Sequence, residues 1–128
     1  FLLSAAAGTA YGFGIYSQAL KEKLGYSQHE LNNISSLGNL GLYLSIVGGI
    51  AFDALGPRFT GIVGAVLCAI GYILMTLGTS GALVSSGSIH WGWMAFFAAL
   101  WQNGSSWTDT MGIVTSTRNF PHNKGIVL

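Results

Sequence analysis

Phe52-Asp53-Ala54-Leu55-Gly56-Pro57-Arg58-Phe59 is the stretch whose reading decides the fold. An apolar run, Ile34 to Phe52, leads into it, and another, Phe59 to Thr79, leaves it. Each run approaches the roughly 20 residues an α-helix needs to cross the hydrocarbon core of a bilayer. The charged segment between them is too short for a domain or a flexible linker. Gly56 supplies a backbone conformation that other residues resist. Pro57 suits the first turn of a following helix, where its missing N–H costs nothing. The stretch therefore predicts a tight cytoplasmic hairpin between two membrane helices. Asp53 and Arg58 are near enough in sequence to interact within it. That hairpin is either a plain turn stabilised by charge or a latch that holds neighbouring helices in one state and releases them in another.

Composition supports a lipid environment. The chain has 128 residues, of which 51% are hydrophobic and 7% charged, with a mean hydropathy of +0.54. A soluble domain carries about 25% charged residues, enough to coat a water-facing surface. The formal net charge of +1 leaves no clustered basic face for nucleic acid, so no such partner is expected. Nineteen glycines fit helices that pack by close backbone approach in lipid. Cys68 is the single cysteine, which excludes an internal disulfide and a Cys-rich metal site; within an apolar run it reads as a small packing residue. His29, His90 and His122 have no metal-ligand spacing. No Ser/His/Asp nucleophile arrangement is present, so neither an enzyme nor a cofactor is expected. Phe1 opens the chain and Leu128 closes it inside an apolar run, as expected of a piece of a longer membrane protein. Phe1 to Leu20 lacks the basic leader of a signal peptide and reads as a membrane helix.

Working outward, the expected helices span about 1–20, 33–52, 59–79 and 89–116, with a fifth beginning at 125–128. The whole of 1–128 is then an N-terminal transmembrane region. Lys21 to Asn32 is a polar connection, Ser80 to His90 a loop without Lys, Arg, Asp or Glu, and Thr117 to Lys124 a second short basic turn. These spans are too long for strands and lack sustained alternation. A soluble helical bundle needs a charged face on every helix, and Phe59 to Thr79 has no charged residue at all. The expected fold class is all-α, a multi-pass transmembrane helical bundle. Arg58, Arg118 and Lys124 against Lys21 and Lys23, the latter offset by nearby acids, put the hairpin and the second basic turn on the cytoplasmic side.

Small residues recur every four positions in three spans: Ser4, Gly8 and Gly12; Gly41, Ser45 and Gly49, leading to Asp53; and Gly61, Ala65 and Ala69. Such stripes let backbones approach closely. They serve either static packing or sliding contacts in a protein that changes shape. Trp91 and Trp93, beside His90, suit an interfacial aromatic belt. Asn39 reads as a hydrogen bond between helices, and Tyr16, Ser17 and Gln18 as interfacial anchors.

The fourth span carries the chemical anomaly, Trp101-Gln-Asn-Gly-Ser-Ser-Trp-Thr-Asp109-Thr. On a helix, Gln102, Ser105, Ser106, Asp109 and Ser116 fall near one face. A carboxylate at the centre of a membrane helix costs about 2.5–3.5 kcal/mol on insertion scales. Asp109 therefore needs a partner, a proton or water. One reading makes Gln102, Ser106 and Asp109 the lining of a polar pathway that binds a solute or a coupling proton. The other makes Asp109 a helix-to-helix hydrogen bond, or places it near the cytoplasmic end where water reaches it.

Two sets of residues carry a family resemblance. Gly49-Ile-Ala-Phe-Asp53-Ala-Leu-Gly56-Pro-Arg58 is similar to the loop between the second and third helices of major facilitator superfamily transporters, although Pro57 and Ala54 stand where basic residues are usual. Gly8-Thr-Ala-Tyr-Gly-Phe-Gly-Ile-Tyr-Ser17 with Leu20-Lys21, and Arg118-Asn-Phe-Pro121 with Lys124-Gly-Ile-Val-Leu128, resemble the first helix and the approach to the fifth helix of nodulin-like proteins within that superfamily. The resemblance implies the partial N-terminal half of a roughly twelve-helix carrier. Its first and fourth helices line a central cavity. The expected function is secondary active transport of a small solute by alternating access, with a small organic anion as the substrate class of more distant relatives. Gln102, Ser106 and Asp109 would line the pathway, and Gly49, Asp53, Gly56 and Arg58 would form the latch. The competing expectation is a tetraspan membrane scaffold or assembly subunit without a transport path.

Overall fold

The computed structural model describes residues 13–83 and 89–120. The first part of the first expected span, with Ser4, Gly8 and Gly12, lies outside the described residues. So do the middle of the 80–90 loop, Lys124 and the start of the fifth span. Among the described residues all regular structure is helical: α1 (Phe13–Leu24), α2 (Gln28–Tyr43), α3 (Ile46–Thr79) and α4 (Trp91–Asn119). The fold is all-α.

The polar segment read as a long connection is mostly helix. Only Gly25 to Ser27 links α1 and α2. Gly25, at φ 69°, sends its N–H back to the Lys21 carbonyl at 3.1 Å. Ser27 then caps α2. Its hydroxyl accepts from the Glu30 N–H, and the Glu30 carboxylate accepts from the Ser27 N–H at 2.8 Å. This capping box satisfies two orphan donors of the helix start reciprocally. It also holds the Glu30 carboxyl below the usual carboxylate range, chiefly through the Ser27 backbone N–H and then the Ser27 hydroxyl.

Between α2 and α3 the helix tightens rather than ends. Ser45 N–H bonds to the Leu42 carbonyl and Val47 N–H to the Leu44 carbonyl, spacings of three residues typical of a 3₁₀ turn. The true reversal lies inside α3, at Gly56, with φ 85° and ψ 174°. That φ is left-handed, a region L side chains avoid and glycine enters without penalty. Pro57 follows as the first residue of the returning arm, and buried Thr60 donates its hydroxyl to the Gly56 carbonyl at 3.1 Å.

Neighbours along α4 give the direction of each arm. On the way in, Gly38 packs on Ala98 and Gln102, Gly41 on Ala99 and Gly48 on Trp107. On the way back, Gly61 packs on Met111, Gly64 on Gly104, Gly71 on Trp101 and Gly78 on Met94. The chain thus doubles back at Gly56, and α4 packs against both arms.

The packing stripes differ from the four-residue pattern. Ala65 and Ala69 are exposed, and a Cβ at Gly49 would meet nothing within 4 Å. The buried glycines of the returning arm are Gly64, Gly71 and Gly78, at seven-residue steps. A helix turns about 100° per residue, so a four-residue step overshoots by about 40°, whereas a seven-residue step falls short by only about 20°. The longer repeat keeps one edge against α4. At the crossing, a Cβ on Gly104 would lie 2.5 Å from the Cys68 backbone nitrogen and 2.6 Å from the Gly64 carbonyl.

The core clusters at the end away from the hairpin, around Leu20, Leu31, Ile34, Met94, Ala98 and Trp101. Tyr26 donates its hydroxyl to the Ile89 carbonyl and ties the α1–α2 link to the start of α4. Elsewhere the surface is apolar: Ile46 is 73% exposed, Ile50 66% and Ile62 65%. The stretch Gln28–Thr79 is long and apolar enough, by length and composition, to cross a membrane.

Candidate functional site

Two groups of residues carry chemistry, one at the hairpin and one along α4. At the hairpin, Asp53 closes the incoming arm and Gly56 turns the chain. The carboxylate meets Arg118 in the last turn of α4, Nη2 to Oδ1 at 3.2 Å. Asp53 does not pair with Arg58, which is exposed. The physical reason is the break at Gly56. Asp53 belongs to the end of one arm and Arg58 to the start of the other, while α4 runs beside both and delivers its own cation. The Arg118 guanidinium also lies 5.2 Å from the centre of the buried Phe52 ring. A cation over an aromatic face gains about 0.5–1 kcal/mol at an exposed site. Two consecutive residues therefore hold Arg118, which also sits at a helix C-terminus, where a positive charge complements the dipole.

Along α4 the three pathway residues occupy different surroundings. Gln102 is 1% exposed and packs into the space left by Gly38. Its Oε1 has no hydrogen-bond partner among the described residues. Ser106 and Asp109 are half-buried. Asp109 follows Gln102 by seven residues on the same face, and its carboxylate has no partner among the described residues. The sequence places all three on one face. The structure buries the first of them against α2 and leaves the other two partly open.

Three residues that the sequence assigned to neither the pathway nor the latch organise this region. Asn103 donates Nδ2 to the Gly41 carbonyl at 2.9 Å. That carbonyl loses its own donor because the 3₁₀ turn sends the Ser45 N–H to Leu42. The cross-helix hydrogen bond expected of Asn39 is therefore made by Asn103, and Asn39 is exposed. Trp101, fully buried, stacks on Tyr72 with centroids 4.9 Å apart and meets Tyr16 edge-on at 6.2 Å. Tyr16 thus belongs to the packing of α1 on α4 as well as to the helix surface. Arg118 is the third. It lies inside the helix, which runs on to Asn119, and not in the short basic turn expected from Thr117 onward. Thr115-Ser-Thr-Arg-Asn119 is made mostly of weak helix formers, so neither its helix nor its partner could be read from the sequence.

Smaller expectations fall as follows. Cys68 is half-buried, with Sγ 3.4 Å from the Trp101 carbonyl. His90 caps α4, its Nδ1 accepting from the Gly92 N–H at 3.1 Å, and Trp93 beside it is 59% exposed.

Comparison with known proteins adds three findings. A family model described as nodulin-like matches residues 1–128. The chain is 32% identical over 72 residues to a protein of Gibberella zeae described as probable transporter MCH1. That match covers 56% of this chain and 13% of the fungal protein. No solved structure matches the chain.

Proposed function

The chain belongs to the nodulin-like family, and on that footing we propose that it is the N-terminal membrane region of a major facilitator type secondary transporter. It carries a small solute by alternating access, two halves rocking around a site near the bilayer midplane. The fungal relative's description as a probable transporter supports this reading. So does the apolar stretch Gln28–Thr79, folded back on itself at Gly56.

The observation that carries the proposal is Asp109. It is a half-buried carboxylate in the interior of a 29-residue helix, with no partner among the described residues. Intramembrane acids are costly and mark solute or proton paths. Ser106 lies beside it, and Gln102 one face-repeat above. In this reading Asp109 binds the solute or a coupling proton, and a small organic anion is the favoured substrate class. Asp53 and Arg118 form the latch, with Gly56 as its pivot. Gly49 and Arg58 contribute by position on the same hairpin.

The test is uptake by the full-length protein in proteoliposomes, offered a panel of small metabolites with and without a proton gradient. Accumulation that depends on the gradient and on Asp109 supports the proposal. A pH profile of uptake in Asp109→Asn identical to that of wild type removes Asp109 from the mechanism.

A further inference from the structure

We propose that the groove between the returning arm of α3 and the end of α4 holds one anionic phospholipid of the leaflet on the hairpin side, with its phosphate on Arg58. The inference rests on the membrane reading above. The groove has a volume of about 530 Å³. Gly61, Ile62, Ala65 and Met111 make its walls apolar. Gly61 leaves the floor open down to Met111, since a Cβ there would already lie 2.8 Å from the Met111 methyl. Ile62, 65% exposed, forms the outer lip. From Pro57 to Ala65 the helix rises about 12 Å, room for the upper part of an acyl chain.

The polar groups gather at one end. Arg58 stands at the mouth beside Pro57. It has no carboxylate partner among the described residues, because Asp53 is taken by Arg118 at 3.2 Å. The antiparallel register puts Thr115 one turn nearer the hairpin than Met111, at that same end. The Thr115 hydroxyl oxygen is buried without a hydrogen-bond partner among the described residues. A guanidinium matches a phosphodiester through two parallel N–H···O bonds, and a hydroxyl next to it suits an ester carbonyl. An apolar slot with this head end is complementary to an amphiphile that is anionic at one end. A zwitterionic lipid would bring an ammonium group that Arg58 repels. Basic pockets between helices at the membrane surface bind anionic headgroups on the same principle.

Native mass spectrometry of the full-length protein in detergent tests this, with added palmitoyl-oleoyl phosphatidylglycerol, palmitoyl-oleoyl phosphatidylcholine or glycerol 3-phosphate. The phosphatidylglycerol adduct should form at about fivefold lower concentration than the phosphatidylcholine adduct, the effect of one cation at a membrane surface. Glycerol 3-phosphate, which could occupy the proposed solute site, should show no adduct that depends on Arg58. Arg58→Gln should erase the difference between the two lipids, and Arg58→Lys should keep part of it. Ala65→Phe, which fills the groove from an exposed position, should weaken both adducts. An unchanged melting temperature certifies each variant as folded. Equal binding of the two lipids by wild type, a preference that survives Arg58→Gln, or an Arg58-dependent adduct with glycerol 3-phosphate alone overturns the proposal. A protein that needs detergent yet shows no lipid preference overturns this inference alone. One that stays folded in plain buffer removes the membrane reading as well.

Discussion

Arg118 Nη2 lies 3.2 Å from Asp53 Oδ1 across 65 residues of sequence, joining the last turn of α4 to the end of the arm that precedes the Gly56 turn. Both side chains are mostly exposed. Such a pair contributes about 0–1 kcal/mol, too little to hold a fold and enough to bias two states of similar energy. That scale is what the proposed latch requires.

Asp53→Ala and Arg118→Gln should each leave the melting temperature nearly unchanged, within about 1 kcal/mol of stability. Turnover in proteoliposomes should fall by about fivefold or more, the size of a typical coupling between states, with solute affinity retained. The exchanged pair Asp53→Arg with Arg118→Asp should recover part of the rate. A loss of affinity equal to the loss of turnover would count against a latch.

Asp109→Asn removes a titrating group and keeps the shape. It should insert normally and abolish or flatten the pH dependence of uptake. Initial rates measured at a series of external pH values decide this, and a profile identical to wild type excludes Asp109 from the path.

Glycine positions separate packing from empty space. Gly104→Ala pushes a methyl group to 2.5 Å from the Cys68 backbone nitrogen, and overpacking of this kind costs about 1–3 kcal/mol. Gly49→Ala meets nothing within 4 Å and should be neutral or slightly stabilising, because alanine is the better helix former. Thermal unfolding of the two variants in detergent should rank them in that order.

The capping box predicts a pH response with a definite sign. The folded-state pKa of Glu30 is lowered, mainly by the Ser27 N–H. Its contribution is present above the ordinary carboxylate pKa of about 4.3 and is lost as pH falls through the lower folded value. Tyr26 behaves oppositely. Burial, then the nearby Glu30 charge, pushes it up to about 12, so its contribution is full below about 10 and lost as pH rises toward 12. Melting temperatures of wild type should therefore fall at the acid end of the range, and Glu30→Gln should flatten that limb.

What the sequence disclosed depended on whether the cause was local. Gly56 and Pro57 announce a reversal through their own backbone chemistry, and the reversal is there. Ser27 and Glu30 carry an equally local signal, a capping box spaced by three residues. Their polar neighbours suggested a connection instead, and α2 begins earlier than its apolar residues do. The glycine stripes were misread because a four-residue step and a seven-residue step coexist in the same arm, and only a facing helix decides which one is buried. The Asp53–Arg118 pair and the Asn103–Gly41 hydrogen bond join residues more than sixty positions apart. Each depends on the register of α4 beside the incoming arm, which no window of sequence contains. Asp109 stood out in the sequence because an acid in a span read as membranous is costly wherever its neighbours lie. Among the described residues only Gln28–Thr79 is apolar enough to cross a membrane, so its role in α4 is a proposal.

The central claim is that lipid, not water, covers the apolar faces of α3. Cysteine labelling in sealed membrane vesicles tests it most directly, with Ile50→Cys, Ile62→Cys, Ile73→Cys and Ala54→Cys made singly in a Cys68→Ser background. The three isoleucine positions are 66%, 65% and 58% exposed, faces that in the proposed carrier lie against lipid or a further membrane helix. A membrane-impermeant maleimide should leave all three unlabelled from either side and label Ala54→Cys from the hairpin side alone. Ready labelling of Ile62→Cys and Ile73→Cys in intact vesicles would contradict the account.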